Sequence, residues 1–357
     1  MKYLSFAILH SMWLSQRKLR DIAPELVDAF LQSVDMSTLL QIGYNSEQAT
    51  KILDKKTTIL VERVERTLAE IGARIVHITD DDYPELLKSI ANPPTILYVR
   101  GKLHPNDALI SIVGSRKHSD YAASCLHRII PWLISSGYGI VSGGAYGIDT
   151  IAHETALKEK WHTTVVFWAG IDVIYPPSNT ALFEKIVQSW GALVSQFPVG
   201  MLSEPFNFPI RNEIVAGMSR GTLIAEAGED SGTLITAQLA IEANRDVFVI
   251  PADMTREWAL GSNRLIRDGV GKLITSVDDI LCEYQIVDKQ LSMMSTLKPD
   301  FADPIHESIY DLLCRDTLGI DSLVDRLQID AQILINALSI LEIEGIVTSR
   351  GGVYRIQ

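Results

Sequence analysis

The stretch Ser111-Ile-Val-Gly-Ser-Arg116 decides the fold class, because a short apolar segment leads directly into a glycine, a hydroxyl and a guanidinium. In a parallel sheet, such a strand ends in a glycine turn. The turn presents the free N–H groups and the positive dipole end of the next helix to a ligand at the carboxyl edge of the sheet. Arg116 adds a planar cation suited to phosphate. The same turn also occurs in α/β domains that bind nothing there, so this stretch alone leaves a purely structural role open.

Between residues 109 and 250, short apolar runs alternate with segments of helical periodicity, the pattern of a parallel sheet covered on both faces. Five strand-to-helix connections in one direction predict an α/β fold with an extended, doubly wound Rossmann-like sheet. The predicted strands are Ile110–Val113, Gly139–Val141, Thr164–Trp168, Ala192–Ser195, Thr222–Ala225 and Val247–Ile250. The predicted helices are Tyr121–Ser136, Gly147–Lys160, Ala181–Ser189, Asn212–Met218 and Thr233–Asn244.

The loops that follow five of these strands are rich in glycine and hydroxyl side chains. Because the carboxyl ends of parallel strands meet at one edge of a sheet, we expect the five loops to converge there. One glycine turn is an ordinary structural feature, but five on one rim indicate a shared anion-binding site. The loops are Gly114–Arg116, Ser142–Gly147, Ala169–Asp172, Phe206–Asn212 and Glu226–Thr233.

The composition limits the class of protein. A chain of 357 residues with 47% hydrophobic and 21% charged residues is globular and long enough for two or three domains. Its net charge of −12 argues against a broad basic surface, so any nucleic-acid site must be local. The three cysteines are far apart, which predicts neither a zinc site nor a disulfide framework and favours a cytoplasmic setting. No run reaches the roughly 18 apolar residues of a membrane span.

Several cofactor and catalytic motifs fail on spacing. Gly271-Lys272 lacks the remainder of a P-loop, and the glycines at 137, 139 and 143 miss the dinucleotide spacing, so no cofactor is predicted. Gly217–Gly221 matches the nucleophile-elbow pattern, but it follows a helix and precedes a strand, the reverse of the required context.

Two groups of titratable residues leave alternatives open. Asp149 and His153 lie four apart on a predicted helix and could form a metal or acid/base pair, or be a helix-start charge and a packed histidine. Glu226 follows a strand with no evident partner base. No third ligand lies near Asp149 and His153, so no metal site is predicted.

Six motifs in order resemble those of the DNA processing protein A (DprA/Smf) family. The resemblance covers about residues 75 to 285. The motifs are Ser111–Arg116, Ser142–Asp149, Ala169–Pro176, Phe208–Asn212, Glu226–Ala237 and Gly261–Ile266.

The resemblance implies a cytoplasmic protein that binds single-stranded DNA, protects incoming strands during natural transformation and loads RecA recombinase onto them. It also implies a homodimer without enzymatic activity. In the family, the Gly-Ser-Arg arginine and the Phe-Pro-x-Arg-Asn segment contact the strand, roles that would fall here on Arg116, Phe208, Arg211 and Asn212. The implied backbone and hydroxyl donors to phosphate are Gly114, Ser115, Ser142, Gly143, Gly144, Ser231, Gly232 and Thr233. Glu213 stands where the family commonly has a basic residue, which puts a negative charge beside the proposed groove.

Four segments are predicted along the chain. Residues 1–75 form a helical, SAM-like domain, and residues 76–290 form the Rossmann-like DNA-binding domain, which opens with strands near 74–79 and 96–99. Residues 291–302 are a linker, and residues 303–357 form a winged-helix domain. The last domain has four basic against nine acidic residues, a net of −5. Its recognition helix, Asp330–Glu344, has no Lys or Arg, so this domain is predicted to bind protein rather than duplex DNA.

Two other functions are compatible with the sequence. The glycine-rich rim also resembles nucleotide-cleaving phosphoribohydrolases, in which case Glu226 would be the acid/base, although their Pro-Gly-Gly-x-Gly-Thr signature is replaced by Glu229–Thr233. The chain could also be a scaffold whose acidic tail recruits a partner.

Overall fold

The computed structural model describes residues 3–11, 15–20, 36–41, 44–54, 57–105, 108–284, 301, 303–313, 318–343, 346–350 and 353–356. The chain divides into two compact units, Met1–Glu283 and Tyr284–Gln357. The predicted linker at 291–302 lies outside the described residues except for Phe301.

The first unit alternates strands and helices along the chain. Its strands are β1 Ala73–His77, β2 Ile96–Gly101, β3 Leu109–Val113, β4 Gly139–Ser142, β5 Thr163–Gly170, β6 Ala192–Phe197, β7 Gly221–Ile224, β8 Asp246–Val249 and β9 Lys272–Leu273. Its helices are α1 Leu4–Ser11, α2 Gln16–Arg20, α3 Met36–Gln41, α4 Ser46–Asp54, α5 Thr57–Glu70, α6 Glu85–Lys88, α7 Asp120–Ser135, α8 Ile148–Lys158, α9 Thr180–Gln188, α10 Asn207–Gly217, α11 Gly232–Glu242 and α12 Leu260–Arg267.

One nine-stranded sheet organises this unit, in the order β1-β2-β6-β5-β4-β3-β7-β8-β9. The strands from β6 to β9 in that order pair in parallel, whereas β2 pairs antiparallel with β6 and β1 antiparallel with β2. Strands β4, β5 and β6 are added successively on one side of β3, and β7 and β8 on its other side, so the strand order reverses at β3. This is the predicted doubly wound topology, and ligands of such sheets bind outside the carboxyl ends of the strands at the reversal.

Alternate side chains of the central strands are buried on opposite faces. On β5, Val165 and Phe167 belong to one core and Val166 to the other. The N-terminal helix α1 contributes Phe6 and Ile8 to the first of these cores, together with Ile75 of β1. The described N-terminal helices therefore share a core with the sheet, and the predicted boundary between residues 75 and 76 falls within β1.

One predicted boundary is wrong. Helix α10 begins at Asn207, so the segment Phe208–Asn212 forms its first turns rather than a loop ahead of the helix predicted to start at Asn212. Pro209 stands at the third helical position, where its missing N–H removes no intrahelical hydrogen bond. The other predicted strands and helices of the sheet region agree with the structure to within a few residues.

The second unit has the predicted winged-helix architecture. Helices α13 Pro304–Leu313, α14 Ile320–Leu327 and α15 Ala331–Ile343 pack around a core that includes Leu323, Leu334 and Leu338. The strands β11 Val347–Arg350 and β12 Val353–Ile356 form the expected wing, and a short strand, β10 Leu318–Gly319, adds to its free edge.

Candidate nucleic-acid interface

Three of the helices that follow the carboxyl ends of the parallel strands begin beside the Gly-Ser-Arg turn. Helix α8 follows Gly147, α10 starts at Asn207, and α11 is capped by Ser231, whose hydroxyl accepts a hydrogen bond from the Thr233 N–H at 3.2 Å. Each N-terminus carries about half a positive charge and free N–H groups. The rim is therefore positive locally, although the whole chain is acidic.

Glycine is required at two positions of this rim. Gly147 has φ +78°, and a Cβ there would lie 2.6 Å from the carbonyl oxygen of Arg116. A Cβ on Gly143 would overlap the guanidinium of Arg211. These two close approaches hold the β4–α8 loop against the Gly-Ser-Arg turn on one side and against α10 on the other.

Arg211 is buried beneath the rim, with 3% of its surface exposed. Its guanidinium donates hydrogen bonds to the carbonyl oxygens of Gly143 and Val166, the second at 2.8 Å, and its Nε donates to Asn212 Oδ1 at 3.0 Å. Burial lowers the pKa of Arg211 to about 10, so the side chain stays charged at neutral pH. These hydrogen bonds link the β4–α8 loop, β5 and α10, and the predicted contact of this arginine with the DNA strand stays a prediction.

Asp149 supplies the opposite charge to Arg211. It is buried in the first turn of α8, and its Oδ2 accepts a hydrogen bond from the Ala145 N–H at 3.2 Å. Burial raises the pKa of Asp149, and the charge of Arg211 and the Ala145 hydrogen bond oppose that shift. The carboxylate and the guanidinium thus compensate each other below the surface.

Arg116 and Phe208 lie above this buried pair. Arg116 is exposed, with its guanidinium carbon 5.6 Å from the centre of the Phe208 ring and 5.9 Å from that of Trp168. Phe208 is half-buried over Gly232 at the start of α11, where a Cβ would lie 2.7 Å from the ring. A cation and an aromatic ring therefore stand side by side at the surface of the rim.

A small pocket lies beneath Arg116 and Phe208, with a volume of about 30 Å³. We call it the rim pocket. Asn212 is 97% buried in its wall, and its amide Nδ2 has no hydrogen-bond partner within the described structure. A buried donor without a partner costs free energy unless a bound group accepts from it. The lining residues are Val113, Gly114, Arg116, Gly143, Ala145, Asp149, Phe208, Arg211, Asn212, Val215, Thr233 and Thr236.

The structure brings together seven of the twelve residues predicted for the site. Ser115, Ser142, Gly144, Ser231 and Gly232 do not line the pocket. The Ser142 hydroxyl donates to the Ile112 carbonyl at 2.6 Å, and that of Ser115 to the Lys117 carbonyl at 2.8 Å, so both hydroxyls stabilise the turns themselves. The seven that line it are Gly114, Arg116, Gly143, Phe208, Arg211, Asn212 and Thr233.

Glu226, the candidate acid/base of the sequence analysis, has structural partners. Glu226 is fully buried, and its two carboxylate oxygens accept hydrogen bonds from the N–H and the hydroxyl of Ser119, both at 2.8 Å. Ser119 in turn caps α7 through the Ala122 N–H. Glu226 therefore holds the start of α7, and it does not line the rim pocket.

Glu213 faces away from the rim pocket. It lines a larger cavity of about 680 Å³ on the other side of α10, with His10 and Gln196 among the neighbouring residues. Burial raises the pKa of Glu213 above its ordinary value. Its charge is thus separated from the pocket by the helix.

His153 packs as a buried histidine rather than pairing with Asp149. Its Nδ1 lies 2.8 Å from the hydroxyl of Thr163, which donates to the Ile140 carbonyl and so must accept from the imidazole. Burial lowers the pKa of His153 to about 3, and that of the buried His10 to about 3. Both imidazoles are neutral in the folded protein at physiological pH.

These two histidines predict a loss of stability in mild acid. Below pH 6.5 both imidazoles are protonated in the unfolded chain but stay neutral in the folded chain. Each histidine therefore lowers the free energy of unfolding by about 1.4 kcal/mol per pH unit. The raised pKa values of Asp149 and Glu213 act in the opposite direction nearer pH 4. Urea titrations from pH 7.5 to 5 should show a shallower pH dependence for His153→Met than for the unmodified protein. The exposed His127, replaced by Gln, is the control. An unchanged slope in His153→Met would contradict the assignment.

The fold and the site together define a class: a Rossmann-like protein with an anion-binding rim, joined in one chain to a winged helix. Sequence comparison agrees. The profile of DNA recombination-mediator protein A matches residues 74–285, and that of the DprA winged helix domain matches residues 295–352. The chain belongs to the DprA/Smf family.

Known relatives cover most of the chain. Protein Smf of Synechocystis is 34% identical over 75% of this chain and 71% of its own. The X-ray structure of DNA processing protein A from Streptococcus pneumoniae has a TM-score of 0.65, with 28% identity, and covers 79% of this chain and 98% of that one. A structure reported for the single-stranded DNA binding mode of DNA processing protein A from Helicobacter pylori has a TM-score of 0.55, with 25% identity, and covers 61% and 97%.

Within the described ranges, no helix is both long and apolar enough to cross a lipid bilayer.

Proposed function

We propose that this protein binds single-stranded DNA along the rim, protects incoming strands during natural transformation and delivers them to RecA recombinase. The observation that carries the proposal is the convergence of Arg116, Phe208 and the unpartnered Nδ2 of Asn212 at the N-termini of three helices. A phosphate oxygen would accept from the guanidinium and the amide, and a base would stack on the ring. The Helicobacter pylori relative, whose reported structure concerns single-stranded DNA binding, supports the same ligand.

In this proposal, Arg211 positions the site instead of binding the strand. Its hydrogen bonds hold Gly143 and Asn212 at the pocket wall, and Phe208 lies over its guanidinium at 5.2 Å. The hydroxyls and amides of the surrounding turns set the shape of the rim. Arg116 remains the direct phosphate ligand.

The proposal includes four statements about cellular context. The protein acts by binding DNA, without catalysis. It is located in the cytoplasm, it is a homodimer, and its protein partner is RecA. The family's designation as a recombination mediator supports the transfer to a recombinase. Sedimentation equilibrium tests the dimer, and the rate of RecA filament formation on strands coated with the protein tests the transfer.

A titration with labelled oligo-dT tests DNA binding. We expect saturable binding that weakens as salt rises, much weaker binding of a duplex with the same number of phosphates, and no release of base from nucleoside monophosphates. Equal affinity for single strand and duplex would contradict the proposal. Base release would favour a nucleotide-cleaving enzyme. The structure does not support that function, because the carboxylate of Glu226 is buried and accepts two hydrogen bonds from Ser119.

The winged helix is proposed to bind protein. Helix α15 contains no Lys or Arg, and it exposes Ile333, Ile335 and Ile340 by 40 to 48%. A helix that reads duplex DNA needs cations for the phosphates and polar groups for base edges. Residues 303–357 alone are therefore expected to show no duplex binding in low-salt gel-shift assays. A robust shift would contradict this prediction.

A further inference from the structure

Trp168 occupies an unusual position in the sheet. Seven of the eight residues of β5 are buried, and the remaining one, which is partly exposed, is this tryptophan. A strand covered on both faces is usually a near-continuous run of apolar residues rich in Val, Ile and Leu. Here the one accessible position of the strand, next to the rim, holds tryptophan, the largest of the amino-acid side chains.

A break in the ladder turns Trp168 outward. Phe167 pairs with Ser195 and Gly170 pairs with Phe197, so three steps along β5 oppose two along β6. The extra residue makes a bulge, a device that redirects a side chain beside a functional site. The Ser195 hydroxyl stabilises the bulge, because it donates to the Ala169 carbonyl at 2.6 Å and accepts from the Phe197 N–H at 3.0 Å.

The redirected ring extends the aromatic surface of the rim. Trp168 lies 5.9 Å from Phe208 at 84° and 5.2 Å from Tyr175 at 69°, measured between ring centres and planes. It therefore stacks face to face with neither ring. Tyr175 is 37% exposed, and the Arg116 guanidinium stands 5.9 Å from the tryptophan.

We infer that Trp168, with Tyr175 beside it, is a second base-stacking platform, which takes an unpaired base adjacent to the one on Phe208. The inference rests on the proposed function and extends the strand's path from the Arg116 turn across the end of β5. A cation between two aromatic platforms matches a strand in which each phosphate separates two bases.

The platform would also select unpaired strands. In a duplex, both faces of each base are already stacked on neighbouring bases, so an aromatic side chain gains contact only after unstacking that costs a few kcal/mol. Phosphate contacts alone do not discriminate in this way. Trp168 and Phe208 would therefore provide the preference for single strands, while Arg116 provides affinity for either form.

The test compares two ligands of equal charge: oligo-dT and a strand of the same length with abasic sites in place of the bases. Trp168→Ala should weaken oligo-dT binding by roughly ten- to a hundred-fold, the effect of one stacked base. It should leave binding of the abasic strand within about twofold, because the phosphate contacts persist. Trp168→Phe should retain most of the affinity for oligo-dT.

Two control variants and a folding check accompany this test. Arg116→Ala should weaken both ligands, and Trp132→Ala, which removes a 62% exposed ring from α7, should weaken neither. Urea unfolding verifies each fold. If Trp168→Ala does not fold, Trp168→Leu replaces it, and the loss of oligo-dT-induced fluorescence quenching in Trp168→Phe gives a second measurement.

The outcomes separate the two proposals. If Trp168→Ala weakens both ligands equally, or weakens neither, the stacking platform is overturned, while the Arg116 effect would leave strand binding in place. If the unmodified protein binds neither ligand, the proposed function fails and the platform with it. Loss confined to the base-bearing strand supports both.

Discussion

Arg116→Glu is expected to lower the affinity for oligo-dT by about two orders of magnitude in low salt. A hydrogen bond between charged groups is worth about 1.5–3 kcal/mol, and the new carboxylate adds repulsion of the phosphate. The guanidinium is exposed beside Phe208, so its replacement leaves the buried interactions of the rim intact. Fluorescence anisotropy at several salt concentrations should also show a slope of log K against log salt smaller by about 0.7, one phosphate's contribution for a single strand.

Arg128→Glu is the matched control. This arginine is also exposed, on α7, and its substitution changes the net charge by the same amount. A similar loss of affinity in both variants would show that total charge, not the rim, governs binding. An unchanged affinity in Arg116→Glu would exclude the rim as the DNA site.

The second large effect concerns stability. Arg211→Met should lower the free energy of unfolding by about 3–5 kcal/mol, because it leaves the buried carboxylate of Asp149 without its compensating charge. It also removes the donors to the Gly143 and Val166 carbonyls. Urea unfolding followed by circular dichroism measures the loss.

The double variant Arg211→Met with Asp149→Asn distinguishes the causes. Removing both buried charges should recover part of the stability, and the coupling energy of the double-mutant cycle reports their interaction. A stable Arg211→Met protein that has lost only DNA affinity would show instead that Arg211 contacts the strand, as the family resemblance implied.

The position of Trp168 shows what periodicity could not supply. The sequence placed this residue at the end of a strand, and the strand is present. The bulge that turns the ring outward depends on the register with β6 and on the Ser195 hydroxyl, which lies 26 positions along the chain from the Ala169 carbonyl that it bonds. The sequence feature that could have indicated this surface aromatic was a tryptophan at the last position of a predicted apolar strand, next to a glycine turn.

The doubly wound sheet, the winged helix and the convergence of glycine turns on one rim were predictable from the sequence, because periodicity and turn residues can be recognised within short segments of the chain. Only the tertiary structure separated the exposed Arg116 from the buried Arg211, although both were predicted to contact DNA. That difference arises from packing of α10 against the β4–α8 loop and β5, where the guanidinium donates to one carbonyl oxygen of each. Burial and long-range hydrogen bonding depend on which distant segments pack together in the folded chain, and a local sequence pattern does not specify that packing.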